Sequence, residues 1–179
     1  MALPLTLTLT LTIVTGLTLA ILAYFFALLA RNQAVFVPLS HKSIDKMLRM
    51  ADARPDDLLF DLGSGDGRVV IAAAKNYGTQ AVGIEKSRIL AWLSKRAIRE
   101  NGVQDKVRIV KADFFEQDLS QATIVTAYLS RKINRRLEPK LRKELRDGTR
   151  IVSADHTFKL PETTKAKTGY FWTHLYIKR

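Results

Sequence analysis

The chain has 179 residues, with 29 Lys and Arg against 17 Asp and Glu and a net charge of +12. None of these charges falls in the first 30 residues, so an apolar leader precedes a basic domain and the mean hydropathy of −0.03 describes neither. At 47% hydrophobic residues the chain is not disordered, its leader argues against a wholly soluble protein, and its length leaves room for one globular domain.

The absence of cysteine excludes disulfides, cysteine-zinc sites and thiol nucleophiles. His41, His156 and His174 have neither HxH nor HExxH spacing, so no dedicated metal site is expected. The positive charge suits anionic lipid, nucleic acid or an acidic protein surface, and equally a plain solvated face.

Residues 3–30 carry no charged side chain. As a helix they would reach about 42 Å, beyond the ~30 Å hydrocarbon core of a bilayer. The Leu-Thr alternation over residues 5–12 has the period of a strand, but a lone strand leaves its backbone unsatisfied in lipid. A helix does not, and threonine hydroxyls can bond carbonyls one turn back. The leader therefore reads as a single transmembrane anchor over residues 1–30, most secure over 13–30. A cleaved signal peptide fits less well, lacking a basic start and a small-residue cleavage site. Arg31 and the basic domain behind it place that domain in the cytoplasm, as a single-pass membrane protein.

Residues 31–54 read as a linker, with a polar joint at 31–34, followed by a helix capped by Ser40 or Ser43 and bearing Ile44, Met47, Leu48 and Met50. From residue 55 to 179 strands and helices alternate: strand 58–62, helix 68–76, strand 81–85, helix 87–101, strand 107–110 and strand 122–129. A basic helical region spans 131–146; Pro139 suits a first turn and predicts two short helices there. Strand 149–154 and a strand pair over 163–178, turning at Thr168-Gly169, complete the chain. Repeated strand–helix–strand units predict an α/β fold, a doubly wound, mostly parallel sheet whose ligands sit beyond the carboxyl ends of its strands.

At the end of the first strand stands Asp61-Leu62-Gly63-Ser64-Gly65-Asp66-Gly67-Arg68. Glycines there permit a tight turn and close backbone approach by a ligand. The spacing is G-x-G-x-G, not the dinucleotide G-x-G-x-x-G, and no Gly-Lys-Ser/Thr of a P-loop follows. Asp61 and Asp66 add two negative charges that repel a pyrophosphate and welcome a cation. Glu85 ends the second strand, where a carboxylate can accept from ribose hydroxyls. Asp113 ends the third, followed by Phe114 and Phe115, which suits the exocyclic amine and face of adenine. Together they describe a site for a cationic nucleoside, a description that S-adenosylmethionine fits.

With these residues the chain resembles the class I, seven-stranded S-adenosylmethionine-dependent methyltransferases. The resemblance implies that Asp61, Gly63, Ser64 and Gly65 bind the methionine part, Glu85 the ribose, and Asp113 with Phe114 the adenine. A narrower resemblance rests on Phe36-Val37-Pro38, DLGSGDGRVVIAAA at 61–74, Leu137-Glu138-Pro139-Lys140-Leu141, Leu145 and Gly148-Thr149-Arg150-Ile151-Val152-Ser153. These runs are similar to the small protein-lysine methyltransferases of archaea and their membrane-anchored mitochondrial relatives. That resemblance implies lysine methylation of a protein, with substrates in the mitochondrial cases embedded in the membrane.

After the fourth strand the chain reads Ala127-Tyr128-Leu129-Ser130, without the Asn/Asp-Pro-Pro-Tyr/Phe pattern of nucleobase amino-methyltransferases. Tyr128 is the candidate contact to the substrate lysine and Asp155 and His156 are candidates to border the same pocket. Residues 131–146 hold eight basic residues against Glu138 and Glu144, with Ile133, Leu137, Leu141 and Leu145 every four residues. This face suits anionic headgroups, an RNA backbone or plain solvent. RNA methylation, with nucleic acid as the less favoured partner, and a non-catalytic S-adenosylmethionine-binding membrane module are the alternatives.

Overall fold

The computed structural model describes residues 5–30 and 37–179, and the chain divides into two compact units between Val37 and Pro38. The first unit contains helix α1 (Leu5–Ala30). Thr10, Thr15 and Thr18 donate their hydroxyls to the carbonyls of Thr6, Leu11 and Val14 at 2.7–2.9 Å. Thr10, within the run whose alternation has the period of a strand, thus satisfies its hydroxyl on a helix, as do Thr15 and Thr18 beyond it. Among the described residues no helix is long and apolar enough to cross a membrane; within α1 the side chains are described without a break over residues 9–25. The polar joint expected at residues 31–34 lies outside the described residues, as does Phe36.

The second unit begins with α2 (His41–Met50), where the Ser40 hydroxyl accepts from the Ser43 amide at 3.1 Å. Then come β1 (Leu58–Leu62), α3 (Arg68–Tyr77), β2 (Gln80–Glu85), α4 (Arg88–Glu100), β3 (Val107–Lys111), a short 3-10 turn at Phe114–Glu116 and β4 (Ile124–Ala127). The chain finishes with α5 (Arg131–Glu144), β5 (Arg150–Ala154), β6 (Glu162–Thr168) and β7 (Phe171–Ile177). Seven strands form one sheet in the order β3-β2-β1-β4-β5-β7-β6. The first five in that order are parallel, and β7 runs antiparallel to both neighbours. The parallel strands β1, β2, β4 and β5, covered on both faces, are accordingly short, largely buried runs, whereas the edge strand β3 exposes Arg108 and Lys111.

Leu59 and Phe60 point to opposite faces. On one side Leu59, Ile109 and Val152 pack with Ile44 and Met47 of α2, Val70 and Ala73 of α3, and Ala91 and Ile98 of α4. On the other, Phe60, Val125, Ile151 and Tyr176 pack with Leu137, Leu141 and Leu145. The apolar stripe of the basic region is therefore core, and what it shows to solvent is charge.

Two expectations change. Pro139 does not split the basic region: α5 is one helix of 14 residues with the proline inside it. Buried Leu137 and Leu141 hold the helix to the sheet on either side of the proline, the pair Arg142–Glu138 bridges it, and Lys140–Glu144 braces the turn after it. The fourth strand is shorter than residues 122–129, because the ladder ends at Ala127 opposite Ser153 and Tyr128 leaves the sheet.

Candidate active site

The order of strands reverses between β1 and β4, and there the carboxyl ends of β1, β2, β4 and β5 come together. Asp61, next to last on β1, is 5% exposed and accepts a 2.7 Å hydrogen bond from the Thr126 hydroxyl of β4. Burial pushes its carboxyl up to about 7, opposed by the Thr126 bond and reinforced by Glu85 and Asp66. A buried carboxylate answered by one neutral hydroxyl suits a cationic ligand.

Asp66 does not add the second free charge expected from the sequence. Arg68 grips its carboxylate through Nε and Nη2 at 2.6–3.1 Å and donates from Nη1 to the Leu39 carbonyl. Burial pushes the Asp66 carboxyl up, but the guanidinium outweighs it and holds it below its usual range. The two residues instead tie the glycine loop to the segment before α2.

Glu85 shapes that loop directly. One carboxylate oxygen accepts from the Gly65 amide at 2.9 Å and the other from the Ser87 amide at 2.7 Å. Each oxygen keeps acceptor capacity toward a ribose hydroxyl. Gly63, Gly65 and Gly67 all have positive φ, and a Cβ on Gly67 would come within 3.0 Å of Ser94 Cβ on α4. Ser64 turns its buried side chain against Gly83 of β2, and among the described residues its hydroxyl has no hydrogen-bond partner.

Asp113 stands two residues past β3. Its carboxylate accepts from the Phe115 amide and from Lys86, both at 3.0 Å. Burial raises it, but these two donors outweigh that and hold it ionised below the usual range. Phe114 is half-buried, 4.8 Å from the Phe115 ring, and Arg136 lies over Phe115 at 4.7 Å. The acceptor set Asp61, Glu85 and Asp113, at the carboxyl ends of three adjacent strands, fits S-adenosylmethionine: a cation at one end, two hydroxyls in the middle, an aromatic amine at the other.

Tyr128, just past β4, stacks on Phe171 of β7 with centroids 5.5 Å apart. Burial raises its phenol above the ordinary value, helped by the charge of Asp155. Asp155 has φ +67, a conformation that Asp tolerates better than most residues, and its carboxylate is half-exposed. Its amide donates to the Trp172 carbonyl at 2.8 Å. His156 lies beside it, with Nε2 at 3.7 Å. Below this turn, Asn134 of α5 donates to Ser153 Oγ at 3.2 Å and to the His156 carbonyl at 2.8 Å. Thr126, Arg68, Phe171 and Asn134 belong to the candidate site and were missed by sequence reading. Arg68 had a signal, lying two residues from Asp66; the others are brought in only by strand register and helix packing.

The family model described as the ANTKMT methyltransferase domain matches residues 61–167. A protein-lysine N-methyltransferase of Saccharolobus islandicus is 45% identical over 128 residues, covering 70% of this chain and 77% of that protein. The adenine nucleotide translocase lysine N-methyltransferase of Mus musculus is 32% identical over 131 residues, 73% of this chain and 56% of its own. The chain thus spans little more than half the length of that mouse relative. A crystal structure described as an RNA methyltransferase from Salinibacter ruber, in complex with S-adenosyl-L-homocysteine, superposes with a TM-score of 0.77 at 37% identity, covering 79% of this chain and 93% of that one.

Proposed function

This chain belongs to the family of the ANTKMT methyltransferase domain and is an S-adenosylmethionine-dependent methyltransferase; we propose that its acceptor is the side-chain amine of lysine in a protein, and that α1 anchors it to a membrane. The observation that carries the acceptor reading is the half-exposed Asp155 carboxylate beside the stacked Tyr128 and Phe171 at the carboxyl ends of β4 and β5. An aromatic pair with an acid at its rim suits an aliphatic stem ending in an ammonium. The 45% identical archaeal relative, by its description a protein-lysine N-methyltransferase, supports the same reading.

In this reading Asp61 takes the ammonium of the cofactor, Gly63, Ser64 and Gly65 line its methionine part with main chain, Glu85 holds the ribose, and Asp113 with Phe114 holds the adenine. The bound cofactor supplies an electrophilic methyl group on a sulfonium. Asp155 draws in the lysine ammonium, and Tyr128 and Phe171 align its stem. A free lysine titrates near 10.4, so the amine must lose a proton before it attacks. The apolar walls favour its neutral form by desolvation, and the open side at Asp155 lets the proton leave to water. Orientation is the larger part of the catalysis, since in-line transfer needs the two reacting atoms held in register.

The anchor reading rests on α1 itself, 26 residues without a charged side chain, about 39 Å long at 1.5 Å per residue. The basic surface of α5 supports contact with anionic lipid, and a cytoplasmic catalytic domain follows from the positive-inside tendency. RNA methylation is the second reading, favoured by the description of the 37% identical Salinibacter ruber protein and by the same basic surface.

The test is to incubate the full chain with methyl-labelled S-adenosylmethionine and either membrane proteins or total RNA. Methyl-lysine recovered after acid hydrolysis is the expected product; label confined to RNA overturns the lysine reading. In Asp155→Asn the KM for the protein acceptor should rise about tenfold, with cofactor affinity unchanged.

A further inference from the structure

Helix α4 carries three large apolar side chains on its outer surface. Ile89 is 72% exposed, Trp92 57% and Leu93 39%. Spaced three and four residues apart, they form one patch on the first two turns, while Ala91, Ser94 and Ile98 face the sheet. Arg88, Arg96 and Arg99 lie on the same outward side, and Glu100, paired with Arg96, is the helix's single acid. This differs from α5, whose apolar residues are buried.

We propose that this face of α4 lies in the headgroup region of a bilayer containing acidic lipid. Charge complementarity names the occupant: Arg88, Arg96 and Arg99 against Glu100 leave this face with a surplus of positive charge beside its exposed tryptophan and aliphatics, which acidic headgroups answer. Trp and Arg on one face of a helix, with aliphatics beside them, match a membrane interface, where the rings sit among headgroups and the guanidinium groups meet phosphates. An RNA backbone would use the arginines but leave Ile89 and Leu93 in water.

The location gives this surface a function. Ser87, which caps α4, donates its amide to Glu85, and the other oxygen of Glu85 holds the glycine loop. The apolar turns therefore rise directly from the cofactor edge of the sheet. Seating them in headgroups brings the β2 edge of the cofactor site to the bilayer surface. The inference does not depend on the acceptor being lysine.

The chain has two tryptophans, Trp92 and Trp172, and none in α1, so emission can report on α4 without interference from the leader. The full chain carrying Trp172→Phe is mixed with vesicles of brominated phosphatidylcholine and phosphatidylglycerol, and cofactor titration verifies its fold. Trp92 emission should fall by about half, and the added changes Ile89→Ser and Leu93→Ser should abolish most of that quenching. A Trp92→Phe chain supplies the same comparison by difference if the Trp172 variant does not fold. Co-sedimentation with vesicles but unquenched Trp92 overturns the α4 surface and leaves the anchor reading intact. No co-sedimentation overturns both. Quenching that is equal without phosphatidylglycerol overturns the role given to acidic headgroups.

Discussion

Thr126 and Asp61 are direct partners across the β1–β4 ladder, and the threonine hydroxyl reaches the buried carboxylate at 2.7 Å. The bond joins the strand that carries the proposed cofactor carboxylate to the strand that ends at the proposed acceptor side. It also partly offsets the burial that drives the Asp61 carboxyl up to about 7.

Cofactor binding should therefore depend on pH around neutrality. The Asp61 carboxyl is neutral below about 7 and charged above it, so affinity for the cationic cofactor should rise as pH climbs through that value. Titration calorimetry from pH 6 to 8.5 measures this. Thr126→Val removes the one hydrogen bond that lowers the carboxyl and should move the midpoint upward. A flat profile would detach Asp61 from the cofactor.

The same residue should make the free protein less stable than its fold allows. The folded value of about 7 lies above the unfolded ~3.9, so the protonated carboxyl costs nothing below about pH 4. Between the two values folding takes up a proton, stability falls as pH rises, and the cost is complete above about 7. Asp61→Asn should thus stabilise the cofactor-free chain by a few kcal/mol at pH 8 and leave it nearly unchanged at pH 4. Thermal melts at both pH values check the sign, alongside the expected loss of cofactor binding.

Gly83 has no room for a methyl group. A Cβ there would stand 2.6 Å from Ile109 Cδ1 and 2.8 Å from Ser64 Cβ. Gly83→Ala should cost about 1–3 kcal/mol in urea unfolding by overpacking. Because Ser64 belongs to the glycine loop, cofactor affinity should fall as well, and Ser64→Gly in the same chain should recover part of both losses.

Pro139 breaks no helix but removes an amide from the middle of α5, on its exposed side. Pro139→Ala should raise stability by about 1–3 kcal/mol, read as a higher unfolding midpoint, with the core residues Leu137 and Leu141 unaltered. A loss of stability would mean that the proline is needed to set the course of the helix.

The readable parts of this protein are those whose physics is local. A glycine-rich turn behind an apolar run, Glu85 closing the next run and serines ahead of helices each act within a few residues, and the strands and helices lie within a few residues of where period and caps place them. The sequence by itself also determined that the leader is uncharged and that the remainder carries the positive charge. Amphipathic period marks an apolar face without saying whether anything covers it. The sheet buries Leu137 and Leu141 on α5 yet leaves Ile89 and Trp92 on α4 in the open. Likewise only tertiary structure sets Thr126 on Asp61 across 65 residues, spends Asp66 on a guanidinium that also reaches Leu39, and lays Phe171 on Tyr128. Those pairings follow from strand register and layer packing, which no short stretch of sequence encodes, and they decide which of the expected charges remain to meet a ligand.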